Sequence, residues 1–142
     1  MQKLFGTSGI RGNLNRVSPE LAMKLGFALA TFLTNKGSVA VGHDPRMSSP
    51  CLGSALSSGL MASGCEAVQL GCVPTPILAF GIREYGLDAG AIITGSHNPP
   101  TDNGLKCYSA KGREYTGKEE NTLEELILNR SYKLVAWDKV GC

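Results

Sequence analysis

Ser96 and His97 stand side by side where an apolar run gives way to a turn. Residues 91–94 (Ala-Ile-Ile-Thr) are apolar and β-branched and read as a buried strand. Gly95-Ser96-His97-Asn98-Pro99-Pro100 cannot continue it and favours a turn. Ligands of open α/β sheets bind in the crevice beyond the carboxyl ends of the strands. The pattern therefore puts a hydroxyl and an imidazole on the rim of a site. Such a serine is an acyl nucleophile, a phosphoryl carrier or a plain turn residue. Acyl transfer asks for a G-x-S-x-G elbow followed by an acid and a histidine. Here Gly95 directly precedes Ser96, and the only other histidine, His43, lies upstream.

A carried phosphate asks instead for cations and N–H donors around roughly −1.5 to −2 charges. His97, Lys106, Arg11 and the loop amides of residues 6–12 are the candidates. Gly6, Gly9 and Gly12 punctuate that loop together with Thr7, Ser8 and Arg11, a composition able to wrap an anion with backbone N–H groups. The alternative is an ordinary N-terminal loop, because the spacing is not G-x-G-x-x-G and no useful strand precedes it. A third cluster, His43-Asp44-Pro45-Arg46-Met47-Ser48-Ser49-Pro50, also follows a strand and precedes a helix. Asp44 and Arg46 either pair with each other to hold that turn or act on a ligand. A divalent ion is normally held by carboxylates. The four aspartates, Asp44, Asp88, Asp102 and Asp138, are too scattered to form a ligand set.

The elements that must position these groups alternate along the chain. Residues 18–36 read as a helix, with Ser18 as cap, Pro19 in the first turn and Gly37 at the end. Leu21, Ala22, Leu25, Ala28, Leu29, Phe32 and Leu33 form its core stripe. A strand at 38–42, a helix near 50–63, a strand at 66–71 and a helix from 74 to 85 follow. Residues 105–108 read as a strand running back from the serine turn, antiparallel and at a sheet edge. Thr116 and Glu119 have capping-box spacing before a helix to about 130. The tail at 132–142 has weak strand character. Alternation with short connections implies an α/β fold, a three-layer α/β/α sandwich with a mainly parallel mixed sheet.

Composition narrows the function. The chain of 142 residues suits one domain, and 42% hydrophobic with 18% charged residues argues against disorder. Eighteen glycines, nearly twice the usual share of about 7%, mean many turns. A net charge of +2 without a basic stripe argues against nucleic acid, and no apolar run reaches the about 18 residues of a membrane span. Five cysteines with no C-x-x-C pair suggest reduced thiols in a cytoplasmic protein, mostly acting as small buried hydrophobes.

Four stretches in order, Phe5 to Gly12, Gly42 to Arg46, Thr94 to Pro99 and Asn103 to Lys106, closely resemble the α-D-phosphohexomutases. That superfamily includes phosphoglucomutase, phosphomannomutase and phosphoglucosamine mutase. The likeness covers nearly the whole chain and corresponds to the first of the family's four domains. It implies that Ser96 carries the phosphoryl group and, as phosphoserine, gives an oxygen to a Mg²⁺. Lys106 is then the general acid/base, and since lysine ordinarily titrates near about 10.4, base work at neutral pH requires surroundings that lower it. Arg11 and His97 would stabilise the moving phosphate, with Thr7, Ser8, Gly9, Asn98, Asp44 and Arg46 binding phosphate or substrate. Gly95 stands where the family often has alanine, a departure expected only to loosen the turn.

The implied reaction interconverts hexose 1-phosphate and 6-phosphate, of mannose and/or glucose, through a hexose 1,6-bisphosphate. The partners would be those sugar phosphates and the missing C-terminal domains, which carry the family's metal, sugar and distal phosphate loops. Residues 1–135 would be the serine domain and 136–142 a linker cut short of a second domain. Alone, the piece is expected to be inactive or nearly so, and to self-associate through surface the second domain would cover. A stand-alone phosphosugar- or anion-binding module without turnover is the competing reading, and a serine hydrolase a weaker third.

Overall fold

The structure, a computed structural model, describes residues 3–142. Its elements are β1 (Ile10–Asn13), α1 (Pro19–Phe32), β2 (Ser38–His43), α2 (Ser49–Ala62), β3 (Glu66–Cys72), α3 (Thr75–Glu84), β4 (Ala89–Ile93), β5 (Asp102–Ser109) and α4 (Gly117–Leu128), with a single 3₁₀ turn at Trp137–Lys139. The strand order is β1-β5-β4-β2-β3. β2 pairs parallel with both β3 and β4, and β5 alone runs against its neighbours β4 and β1. This is the mainly parallel mixed sheet that the alternation implies.

Side-chain parity sorts the two faces. Val39, Val41, Ala89, Ala91, Ile93, Leu105, Cys107 and Ile10 point into one apolar cluster with residues of α1, α2 and α4. Ala40, Ile92 and Tyr108 point the other way, towards Leu78 and Ile82 of α3. β4 is buried along its whole length, as a central strand covered on both faces should be. On the α3 side, β1 and β5 present Arg11, Gly104 and Lys106, because Ile10 and Leu105 face the opposite cluster.

Several boundaries differ from the sequence reading. β1 lies inside what reads as a loop; it is only four residues long, and its glycine hides the alternation. β5 starts at Asp102, three residues earlier than expected, and is interior rather than an edge strand because β1 covers it. α1 stops at Phe32 rather than 36. Thr34 and Asn35 turn left-handed at φ 64° and 60°, and the Asn35 amide donates to the carbonyls of Ser63 and Lys133. The tail is not a strand: its amides at Val135 and Gly141 donate to Ala62 and Met61 at the end of α2. Of the cysteines, only Cys65 and Cys107 are buried, and Cys51, Cys72 and Cys142 are exposed. Burial pushes the Cys65 thiol up to about 11.

The α1–α2 contact is close enough to need glycine on both sides. A Cβ at Gly59 would lie 2.2 Å from the Met23 carbonyl oxygen, and one at Gly26 2.4 Å from that of Leu56. Backbone cannot yield as a flexible side chain can, so Gly59→Ala is expected to destabilise the chain by about 1–3 kcal/mol, the usual cost of overpacking. A denaturant midpoint unchanged from the parent chain would show that the helices separate freely.

Candidate functional site

The site forms where the carboxyl ends of β2 and β4 lie side by side. His43 is in register with Ile93, and the Asp44 N–H donates to the Ile93 carbonyl at 2.9 Å. From β2 the chain crosses through α2 to β3 on one side, while β4 leads to β5 on the other. The crevice between them is a topological switch point. Antiparallel β5 starts at the same rim, bringing Asp102 and Asn103 beside the serine turn.

Asp44 organises this rim. Its Oδ1 accepts from Arg46 N–H at 3.1 Å and the Ser49 hydroxyl at 2.5 Å. Its Oδ2 accepts from Arg46 Nε at 2.9 Å, the Thr94 hydroxyl at 3.0 Å and Gly95 N–H at 3.0 Å. Burial acts to raise the Asp44 pKa, but these hydrogen bonds outweigh it and hold the carboxylate below its ordinary value. Asn103, almost completely buried, donates to the Ser48 and Ser49 hydroxyls at 2.8 and 2.9 Å and anchors β5 to the start of α2.

Arg46 does the rest of the holding. Beyond its bond to Asp44, its terminal nitrogens donate to the carbonyls of Ser96 at 2.9 Å, Asn98 at 2.8 Å, Asp102 at 3.2 Å and Pro99. A guanidinium has five N–H donors, and all five are spent on the protein, none being left for a phosphate. In this structure Asp44 and Arg46 hold the turn, one of the two roles the sequence left open. Gly95 proves more than a loosened turn. A Cβ there would lie 2.3 Å from the Arg46 guanidinium carbon, so an alanine at this position would make the guanidinium shift.

The outcome is Ser96 exposed and in a left-handed conformation, φ 53°. Its N–H donates to the Thr94 hydroxyl at 3.0 Å, and its Oγ lies 3.4 Å from His97 Nδ1. A cavity of about 320 Å³ opens here, lined by Asp44, Arg46, Thr94, Ser96 and Asn98 among others. No carboxylate orients His97 among the described residues, so the hydrolase reading lacks its third member.

The remaining candidates lie on β1, β5 and the loop before β1, and of these Arg11 contacts the strand end that carries the serine turn. Arg11 donates from Nε to the Ser8 carbonyl at 2.9 Å and from one terminal nitrogen to the Thr94 carbonyl. Its other terminal nitrogen has no partner among the described residues. Burial first, then the nearby Arg46 charge, lowers the Arg11 pKa. The 6–9 loop closes through Gly6 N–H to Gly9 O at 2.9 Å and lies on β5. A Cβ at Gly9 (φ 78°) would meet the Leu105 carbonyl at 2.4 Å and Lys106 Cγ at 2.7 Å. Thr7 and Ser8 are exposed, and Thr7 lines a neighbouring cavity of about 480 Å³ rather than that of Ser96. Lys106 contacts Glu114 at 3.5 Å. Sequence reasoning passed over Thr94, Ser49 and Glu114. The first two carry hydroxyls beside motif residues, a weak signal, and Glu114 carries none.

Asp44 should make the rim acid-sensitive. A depressed carboxylate contributes stability that is complete above its unfolded pKa of about 3.9 and is lost as pH falls through its folded value. The melting temperature should therefore drop on acidification below about pH 4, and Asp44→Asn should remove that part of the drop while costing about 3 kcal/mol at neutral pH by leaving Arg46 unpaired. Parallel pH profiles for the two proteins would contradict this.

Comparison with known proteins agrees with the geometry. Residues 2–133 match the family profile described as phosphoglucomutase/phosphomannomutase, alpha/beta/alpha domain I. A probable phosphoglucosamine mutase of Methanobrevibacter smithii is 45% identical over 99% of this chain and 32% of its own length. A phosphopentomutase of Thermococcus kodakarensis is 46% identical over 97% of the chain and 30% of its own. A crystal structure of a phosphoglucomutase/phosphomannomutase family protein from Burkholderia thailandensis superposes with a TM-score of 0.81 at 29% identity, covering 97% of this chain and 31% of that one. The chain thus spans about a third of the length of the curated relatives it matches. The profile match over residues 2–133 places the chain in the phosphoglucomutase/phosphomannomutase family, where it corresponds to domain I.

Proposed function

We propose that Ser96 carries a phosphoryl group and that the chain is the serine domain of a sugar-phosphate mutase. The observation that carries this reading is the exposed Ser96 hydroxyl on a loop held from below, with unspent Arg11 donors at the same rim. In the forward step a sugar 1-phosphate presents its 6-hydroxyl to phosphorylated Ser96. The new O–P bond forms as the Ser96 Oγ–P bond breaks, while the Lys106 ammonium gives a proton to the departing Ser96 Oγ and takes up the one released by the sugar hydroxyl. The bisphosphate then returns its 1-phosphoryl group to Ser96: the Oγ–P bond forms as the bond from phosphorus to the sugar O1 breaks, Lys106 protonates O1 and takes up the Ser96 hydroxyl proton, and the sugar leaves as the 6-phosphate. Arg11, His97 and the Thr7, Ser8 and Gly9 loop offset charge on the moving group, and Asn98 faces the same cavity. Asp44 and Arg46 act as positioning residues.

Mg²⁺ is not accommodated by this chain's own residues. Among the described residues no three His, Cys, Asp or Glu side chains gather, and both Asp44 oxygens are already spent. An oxygen on phosphorylated Ser96 is the contribution left to it. Glucosamine 1-phosphate is the first substrate to assay, ahead of the mannose and glucose phosphates, because relatives at 45%, 46% and 48% identity are named as probable phosphoglucosamine mutases. Similar identity to a phosphopentomutase fits a sugar read mainly by residues outside this domain.

Incubation with a hexose 1,6-bisphosphate followed by intact-mass analysis tests the reading. The chain should gain one phosphoryl group, Ser96→Ala should gain none, and Arg11→Ala should label about tenfold more slowly, the loss of one charge-assisted contact. Phosphate found on another residue would refute it. Ligand binding without labelling would favour the binding module.

A further inference from the structure

Glu114 reaches Lys106 through a tight return at the end of β5. The Ser109 N–H donates to the Arg113 carbonyl at 2.7 Å and Tyr115 N–H to the Cys107 carbonyl at 2.9 Å, so Glu114 bridges Tyr108 antiparallel. That places it diagonally from Lys106 on the face that also carries Arg11. Its Oε1 is 3.5 Å from Lys106 Nζ, the one ion pair Lys106 makes among the described residues. The Lys106 stem lies under the 6–9 loop, against Gly9, so its head group is the part left to move. Burial and the Arg46 charge lower the Arg11 pKa, and Glu114 acts against them, so its charge acts on Arg11 as well as on Lys106. Glu114 also lines the cavity shared with Gly6 and Thr7.

Resting on the phosphoryl reading above, we propose that Glu114 is the resident counterion of the phosphate site, holding the Lys106 ammonium while the site is empty and yielding it to an incoming phosphoryl dianion. An entering anion then has to displace a carboxylate. A dianion gains more from the Arg11 and Lys106 charges than it loses by facing Glu114, whereas a monoanion such as acetate exchanges one carboxylate for another. Glu114 thereby selects for doubly charged phosphate and keeps the site clear of abundant singly charged anions. Its pairing with Lys106 is partly exposed, 39% for Glu114 and 19% for Lys106, so the competition is modest and weakens with salt.

Titration of the chain with inorganic phosphate and with acetate, followed by amide and side-chain NMR shifts at Gly9, Arg11 and Lys106, tests the proposal. Glu114→Gln should bind phosphate about threefold tighter at low salt, a gain of the size a partly exposed ion pair allows. The same variant should gain measurable acetate binding, and Glu114→Asp should behave as the parent. In the parent chain itself, the Glu114 carboxyl carbon and the Lys106 side chain should shift together as phosphate fills the site. Equal phosphate affinity in parent and Glu114→Gln, or a Glu114 carboxyl that stays unmoved at saturation, overturns the counterion role alone. Absence of phosphate binding by either protein overturns both this role and the phosphoryl reading.

Discussion

A loop that must leave a serine in solvent cannot hold its shape by burying that serine, so its backbone carbonyls have to be tied from beneath. Arg46 does this with four donors aimed at residues 96–102 and a fifth returned to Asp44. The cation is tolerable there because Asp44 neutralises it, and Asp44 stays ionised because hydroxyl and amide donors surround it. Removing either member leaves the other half-buried and unpaired, which costs more than the pair contributes. The left-handed Ser96 backbone, unfavourable for a residue with a side chain, persists because this network over-determines it.

The fold supplies the geometry for that network. β4 is buried on both faces and delivers Thr94 and Gly95 to the rim at a fixed height. β2 ends beside it and delivers Asp44, while α2 brings Ser49 into hydrogen-bond reach. Two arginines then divide the work. Arg46 spends every donor on the protein, whereas Arg11 keeps one end free above the sheet. A second pair, Lys106 and Glu114, stands on the same face of the sheet as Arg11.

Much of this was legible from residue order. The β-branched run into Gly95-Ser96 located the strand end, and helix α4 formed its capping box from Thr116 and Glu119 as spaced. The two uses of Asp44 and Arg46 could not be separated by sequence, because choosing between them depends on where five carbonyl and carboxylate acceptors sit in space. The proximity of Gly95 to Arg46 is hidden for the same reason: the two are far apart in the chain. β1 was hidden by its shortness and its glycine, and without it β5 read as an edge. Glu114 was illegible because only the 109–113 turn decides which residue faces Lys106.

One guanidinium, that of Arg46, keeps the serine loop rigid. Backbone ¹⁵N relaxation at Ser96, His97 and Asn98, compared between the parent chain and Arg46→Lys, measures this directly. A lysine retains the charge but cannot reach several carbonyls in one plane. Order parameters near about 0.85 in the parent should fall below about 0.6 in the variant, with the strand amides of β4 unchanged. A loop equally rigid in both proteins would mean that something other than Arg46 holds Ser96 in place.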